Sequence, residues 1–151
     1  MNAVTNPLVK ITAVGLLLAS LVSGAAALTR PVLAAGVLYA APTALGSGDC
    51  SSWSDACTLQ AALALSASGD QIWVQAGVHR PGTDRMDAFE LRSGVELYGG
   101  FTGSESDLSE RNWQTHLTVL SGDIGADDLV DANGVVTDTF QIAGGNAYNV
   151  V

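Results

Sequence analysis

Short apolar runs separated by turn residues recur along the chain from about residue 70 onward. The runs that contain Ile72, Val95 and Val119 lie roughly 23 to 24 residues apart, and each is followed by Gly or Ser. A period in that range is typical of proteins in which one short coil stacks on the next. One coil cannot bury its own apolar face and needs a neighbour above and below it. The pattern therefore predicts stacked coils of short strands.

One amphipathic helix is predicted over residues 58–68, immediately before the first strong strand. Its apolar residues recur at i, i+3, i+4 and i+8, which places them on one helical face. Asp55 or Ser54 is the expected N-cap, and Gly69 is the expected glycine beyond the last turn. The apolar face comprises Leu59, Ala62, Leu63 and Ala67. We expect this helix to cover the N-terminal mouth of the stack.

The other apolar runs are short and β-prone, and residues 89–91 and 95–98 alternate apolar with polar residues, which predicts strands. No helical pattern separates them, which argues against a sheet of strand–helix–strand units. The glycine-rich residues 99–103 predict a tight corner of a coil, since glycine readily adopts positive φ angles. The predicted strands are residues 37–40, 71–76, 89–91, 95–98, 117–120, 139–142 and 148–151.

Residues 1–35 differ from the rest and have the pattern of a secretory signal peptide. A cationic start is followed by an apolar stretch over residues 11–28 and then by small residues. The alternative is a transmembrane anchor, because 18 apolar residues are just enough to span a bilayer. No basic cluster follows the stretch, and we predict cleavage after Ala34 or Ala35.

Beyond the predicted signal peptide the chain is strongly acidic. All 15 acidic residues follow residue 36 and only four arginines do, which gives that part a formal net charge of −11. Such a surface repels nucleic acid and anionic lipid headgroups. We therefore expect no nucleic-acid partner, and membrane contact only through the signal peptide or a carboxy-terminal anchor beyond these residues.

Cys50 and Cys57 are the only cysteines. In an exported protein an isolated pair is most economically a disulfide. Two cysteines without a nearby histidine cannot complete a zinc site, and their spacing is not that of a C-x-x-C redox motif. We expect the disulfide to pin Trp53 and the start of the helix.

Several motifs occur in the same order as in a known family. They are Trp53, Leu59-Gln60-Ala61-Ala62-Leu63, Gly69-Asp70-Gln71-Ile72-Trp73-Val74, Gly77, Arg80-Pro81, Asp84-Arg85, Phe89-Glu90-Leu91, residues 94–103, Glu105, Arg111 and Leu120-Ser121-Gly122-Asp123-Ile124. Through them the chain resembles the amino-terminal region of bacterial right-handed parallel β-helix surface proteins, including the choice-of-anchor and polymorphic outer membrane protein-like groups. The resemblance covers about residues 37–151. His79 departs from the aromatic residue usual before the Arg-Pro step.

The expected fold is mainly β, the first few coils of a right-handed parallel β-helix with an N-terminal capping α-helix. Residues 1–35 would be the signal peptide, 36–70 the cap with its disulfide, and 71–151 the first coils. The main rival is an antiparallel sandwich that pairs residues 89–91 with 95–98. Because the chain ends on a strand-like run, we expect the N-terminal portion of a longer protein or a truncated product.

Three tryptophans are candidates for contact with a ligand. For Trp53 and Trp73 packing is favoured over sugar stacking, since a tryptophan between Ile72 and Val74 more often packs against a cap. Trp113 lies between Asn112 and Gln114 in a polar loop and is the better candidate for an exposed contact. With His116 and the acidic loop 123–138, Trp113 forms the expected contact surface.

The acidic loop motivates a Ca²⁺ hypothesis, because clustered carboxylates are ligands that Ca²⁺ requires. The candidate ligands are Asp123, Asp127, Asp128 and Asp131. The EF-hand spacing fails, since the twelfth loop position would be Phe140, and no G-G-x-G-x-D repeat occurs. A solvated turn is the favoured interpretation, with no cofactor.

No catalytic residue is identified. His79 and His116 have no carboxylate at a telling spacing, and the four arginines are scattered relative to the aspartates. The favoured function is a non-catalytic secreted or cell-surface module for adhesion, scaffolding or display, on an outer membrane or beyond it. Its expected partners are extracellular polysaccharide or a host or neighbouring cell surface. The alternative is the N-terminal cap of a β-helix polysaccharide lyase or glycoside hydrolase whose active coils lie beyond residue 151.

Overall fold

The computed structural model describes residues 35–151. The predicted signal peptide, apart from Ala35, lies outside the described residues. Among the helices of residues 35–151, none has the length and apolar character that crossing a bilayer would require.

Two small sheets contain all the strand ladders of the described residues, and every ladder is parallel. The strands are β1 Val37–Ala41, β2 Cys57–Thr58, β3 Gln71–Gln75, β4 Gly77–His79, β5 Glu96–Phe101 and β6 Thr118–Leu120. The first sheet has the order β2-β1-β3-β5, and the second pairs β4 with β6. An isolated antiparallel bridge joins Asp123 to Asn146. Parallel pairing contradicts the rival sandwich, which required antiparallel neighbours.

The first sheet presents an aliphatic face and an aromatic face. Ile72 pairs with Leu38 on one side and Leu97 on the other, and these side chains join the hydrophobic core. Trp73, one residue later, pairs with Tyr39 and Tyr98. Because successive side chains in a strand point to opposite faces, the parallel register aligns like residues in columns.

The predicted column of Ile72, Val95 and Val119 is divided between the two sheets. Ile72 pairs with Leu97, two residues beyond Val95, whereas Val119 pairs with Val78 in the second sheet. The chain turns between β3 and β4 at Gly77, whose φ of 125° is a conformation that glycine adopts easily. Val119 therefore does not stack on Ile72, and that part of the predicted register is wrong.

The predicted helix is present but shorter, as α1, Leu59–Leu65. Thr58 is its N-cap and accepts from the Ala61 N–H, whereas Asp55 belongs to a separate 3-10 turn, Trp53–Asp55, capped by Ser52. The helix ends at Ser66, which leaves the helical conformation at ψ 149°. The expected N-cap at Asp55 or Ser54 and the expected end at Gly69 are therefore wrong. Buried Leu59, Ala62 and Leu63 pack in the core.

Three predicted strands take other conformations. Phe89 is buried, but its N–H donates to the Val150 carbonyl, outside any ladder. The run at 139–142 forms a 3-10 turn, Thr139–Gln141, since Asp138 caps its N-terminus. Residues 148–151 form no strand. Of the predicted corner at 99–103, Gly99 and Gly100 lie at a bulge within β5, where the register against β3 shifts and Gly100 has a φ of 93°. Gly103, with a φ of 101°, lies in the loop beyond the strand.

The disulfide between Cys50 and Cys57 is confirmed. The two Cα atoms are 4.7 Å apart, and both residues are buried in the core. The Cys50 carbonyl accepts from the Tyr39 N–H of β1, and Cys57 opens β2. The disulfide loop is thereby fastened to the first sheet on both sides, directly before the N-cap of α1.

Candidate functional site

An aromatic cluster covers the face of the first sheet opposite the helix. The rings of Trp73 and Phe101 stack with centroids 4.9 Å apart, and Trp53 lies 5.5 Å from Phe101 and 4.9 Å from Tyr39. The Trp53 indole N–H donates to the Glu105 carbonyl at 2.8 Å. The Trp73 indole N–H donates to the Gln71 side chain at 3.1 Å. Both indoles have packing partners and satisfied donors, and they serve the fold.

Glu105 organises the loop that follows β5. Its carboxylate accepts from the N–H groups of Thr102, Gly103 and Ser104 at 2.6 to 3.0 Å. Partial burial alone would raise the pKa of Glu105, but the hydrogen bonds from Thr102 and Ser104 lower it to about 2. A carboxylate that accepts several backbone N–H bonds strongly favours its ionised form. The loop is thus wound around one negative charge.

A concavity of about 420 Å³ lies on the outer side of this loop. We call it the Trp113 groove, and it is lined by Asp107, Leu108, Ser109, Arg111 and Trp113. Trp113 is 61 % exposed. The Arg111 guanidinium carbon lies 5.3 Å from the centroid of the Tyr98 ring, within the usual range of cation–π contacts. The groove therefore combines an exposed aromatic ring with a fixed cation.

An oppositely charged side chain lies in the same groove. Asp107 Oδ1 accepts from the Ser109 N–H at 2.8 Å and from its hydroxyl at 2.6 Å. The bond from the Ser109 hydroxyl and, to a smaller extent, the bond from its N–H lower the pKa of Asp107. Asp107 also caps the 3-10 turn Leu108–Glu110, and Glu110 accepts from the Asp107 N–H in return. The groove wall is thus shaped by a reciprocal capping box.

Trp113 and His116, predicted as one contact surface, line separate concavities. His116 lies in a second concavity of about 250 Å³ with Ala132 and Asn133 from the acidic loop. The acidic loop therefore meets His116 and is not among the residues that line the Trp113 groove.

Three of the four Ca²⁺ candidates converge. Asp123, Asp127 and Asp128 each offer a carboxylate oxygen, and these oxygens lie within 4.8 Å of one another. Asp131 does not join them, since its Oδ1 accepts from the Asn133 and Val135 N–H groups of a turn, each at 2.9 Å. The structure thus makes the trio the only acidic group of this kind among residues 35–151.

The buried carboxylate of Asp123 already has hydrogen bonds and an ion pair within the protein. Its two oxygens accept from the Asp127 and Asp128 N–H groups at 3.2 and 3.3 Å, and Arg80 Nη2 lies 3.6 Å from Oδ2. Burial by itself would raise the pKa of Asp123, but these N–H groups and Arg80 hold it below its usual value. Asp123 anchors the loop, and the Ca²⁺ hypothesis remains a prediction.

The titratable side chains of the described residues form no acid–base–nucleophile arrangement. His79 is buried, and its Nε2 forms a hydrogen bond of 2.9 Å with the Gln75 carbonyl oxygen. Its Nδ1 has no hydrogen-bond partner among these residues. Within residues 35–151, neither histidine hydrogen-bonds to a hydroxyl or carboxylate side chain. A general base within hydrogen-bond reach is one common way in which a nucleophile is activated.

Comparisons of this chain with protein-family models, curated proteins and solved structures found no match. Any functional conclusion therefore depends on the geometry of the chain itself.

Sequence reasoning selected Trp113 but missed the groove around it. Asp107 and Glu110 could have been found, because an acidic N-cap followed three residues later by Glu is a capping-box pattern. Arg111 had no such signal, since its approach to Tyr98 depends on how the loop folds back on β5.

Proposed function

We propose that the chain is a non-catalytic module of the cell surface or the extracellular space, used for adhesion, scaffolding or display. In this proposal residues 1–35 direct export, and residues 71–151 begin a right-handed parallel β-helix that α1 caps. The resemblance noted from the sequence motifs points the same way.

The observation that carries the proposal is the consistently parallel pairing of strands without a helical crossover beyond α1. Gln71 in β3 pairs with Glu96 in β5, and Gly77 in β4 pairs with Thr118 in β6. The chain thus passes through the two sheets in the same order twice. Parallel sheets of the doubly wound kind instead carry helices in their crossovers. Repetition of one coil path is what a stacked-coil protein requires.

A binding role is supported by where the polar and aromatic groups lie. Trp113 is exposed in the loop after β5, and His116 lines a surface concavity with residues of the acidic loop, whereas the buried core is formed mainly by the first sheet, α1 and the disulfide. A fold of this kind places function in its exposed side chains. We therefore propose extracellular polysaccharide or a neighbouring cell surface as the partner, without a cofactor.

The proposal is tested by following export and surface retention of the full chain in a bacterial host. We expect export with loss of about 35 residues, measured by intact mass, and retention on immobilised polysaccharide without release of products. Leu17→Arg is the matched control, because a charge within the apolar stretch should block export. Retention inside the cell would contradict the proposal. Unsaturated or shortened glycan products would favour the alternative of a polysaccharide-degrading enzyme.

A further inference from the structure

We propose that the Trp113 groove binds a neutral sugar ring, which stacks on the Trp113 indole while its hydroxyl groups bond to Arg111 and Asp107. This inference rests on the proposed extracellular function and assigns it a ligand class and a site. Three properties of the groove support it. The Trp113 ring is exposed on a backbone that is held in place, Arg111 and Asp107 have unused hydrogen-bonding groups, and the charges of these two side chains are opposite.

The indole of Trp113 is exposed although its backbone is held firmly. A Cβ on Gly100 would lie 2.7 Å from both the Trp113 nitrogen and its Cα, so this backbone packs directly on the glycine of β5. The neighbouring Asn112 N–H donates to the Gly100 carbonyl at 2.8 Å. An aromatic side chain on such a backbone has few rotatable bonds, so it loses little conformational freedom on binding.

Trp113 differs in this respect from the other two tryptophans. Trp53 and Trp73 donate their indole N–H groups to internal acceptors, whereas the Trp113 N–H has no acceptor among residues 35–151. Its face and its donor are therefore both available to a ligand. Tryptophan combines a large apolar surface with a polar handle, and for this reason it is enriched at binding surfaces.

The polar side chains beside the indole retain unused hydrogen-bonding capacity. Arg111 gives one weak bond, from Nη1 to the Gly99 carbonyl at 3.4 Å, and a guanidinium carries five N–H donors. Asp107 uses Oδ1 for Ser109, and its Oδ2 accepts no bond from the described residues. A donor and an acceptor line the same groove as the ring, which suits a ligand with an apolar face and hydroxyl groups around its rim.

The charges favour a neutral ligand over an acidic one. Arg111 and Asp107 offset each other within the groove, and the chain beyond residue 36 carries a formal net charge of −11. An anionic glycan would have to approach against that field. The groove is an open surface concavity of about 420 Å³, which leaves room for a sugar ring stacked on the indole. The geometry thus points to one or two rings of a neutral glycan.

The test measures binding of the full chain to neutral oligosaccharides by calorimetry, with an oligogalacturonate as the anionic probe. Trp113→Ala should weaken binding on the order of tenfold or more, as expected for a central aromatic contact. Trp113→Phe should keep most of the affinity, because a ring remains. Phe140→Ala is the matched control, since it removes another highly exposed aromatic ring that does not line the groove. Melting temperatures should stay close to wild type for all three variants.

Two outcomes would overturn the inference. One is the absence of binding to every neutral oligosaccharide, and the other is equal binding by wild type and Trp113→Ala. Preference for the oligogalacturonate, lost in Trp113→Ala, would refute the neutral ligand class. Export and surface retention are measured separately, so these failures leave the proposed surface function standing. Retention inside the cell would refute that function without changing the calorimetric result.

Discussion

Residues 37–101 and residues 117–151 are ordered by different means. Within residues 35–151, all the buried hydrophobic side chains lie between Ala40 and Phe101, where the four-stranded sheet, α1 and the disulfide enclose them. The later residues are just as rich in apolar side chains, but many of these are exposed. They are Leu117, Leu129, Val130, Val135, Phe140, Ile142, Tyr148 and Val151. Apolar content alone therefore does not produce a core, and parallel ladders with a covering helix do.

Beyond its short strand β6, the later region is shaped mainly by carboxylates that accept backbone N–H groups. Asp123, Asp131 and Asp138 each accept from N–H groups a few residues away. Such local bonds fix the path of a loop at the surface but bury little apolar area. The first region should therefore lose far more stability than the second when a side chain is truncated.

Truncation of Ile72 should have the largest effect. Ile72→Ala empties a fully buried position between Leu38 and Leu97, and such core truncations cost about 2 to 5 kcal/mol. Ile142→Ala, at an exposed position, should change the free energy of unfolding by less than about 0.5 kcal/mol. Urea denaturation measures both. Equal losses would show that the two regions are not ordered differently.

Removal of the disulfide should have the next largest effect. Loss of the short Cys50–Cys57 loop should cost about 2 kcal/mol by the loop-entropy argument. The double variant with serine at both positions, compared with wild type in urea, measures this loss. Alkylation of both thiols in native, unreduced protein would refute the bond itself.

The Asp123 anchor should matter even without metal. Asp123→Asn removes a charge-assisted acceptor and the ion pair with Arg80, and we expect a loss of about 1.5 kcal/mol in the presence of chelator. Asp131→Asn, in an exposed turn, is the control and should cost less.

If millimolar Ca²⁺ raises the melting temperature of wild type but not of Asp123→Asn, the trio is a cation site. An unchanged melting temperature would remove the Ca²⁺ hypothesis.

Buried His79 should give a smaller, pH-dependent effect. Burial lowers the pKa of His79 below its usual 6.5, so protonation favours the unfolded chain. The stability that depends on neutral His79 is therefore present above pH 6.5 and declines as the pH falls below it. His79→Gln should flatten the dependence of unfolding free energy on pH between about 5 and 7. An identical slope in both proteins would contradict this assignment.

The sequence predicted the elements whose signals are local and dense. The run of three apolar residues within 71–75 and the apolar stripe of α1 correspond to a buried strand and a buried helical face. The helix ends were wrong because Thr58 and Ser66 have better capping geometry than the residues expected to cap it. The run at 139–142 failed as a strand because Asp138 and Gln141 close a capping box around it.

Long-range pairing and the groove were beyond the reach of a single sequence. The chain turns at Gly77 between β3 and β4, and Val119 pairs with β4 in the second sheet. A 23- to 24-residue period cannot reveal which of these two strands Val119 joins. Exposure of Trp113 followed from its polar neighbours in the sequence. Its proximity to Asp107 and Arg111 depends on how the loop folds back on β5. Only the folded chain places those three side chains together.

The charge on Glu105 has a consequence for the surroundings in which the protein can work. Because its pKa is lowered from 4.5 to about 2, the stability it contributes is present above pH 4.5 and lost only as the pH falls towards 2. The loop between β5 and the Trp113 groove is wound on that carboxylate, which stays ionised in mildly acidic media. At mildly acidic pH this loop would therefore keep its shape.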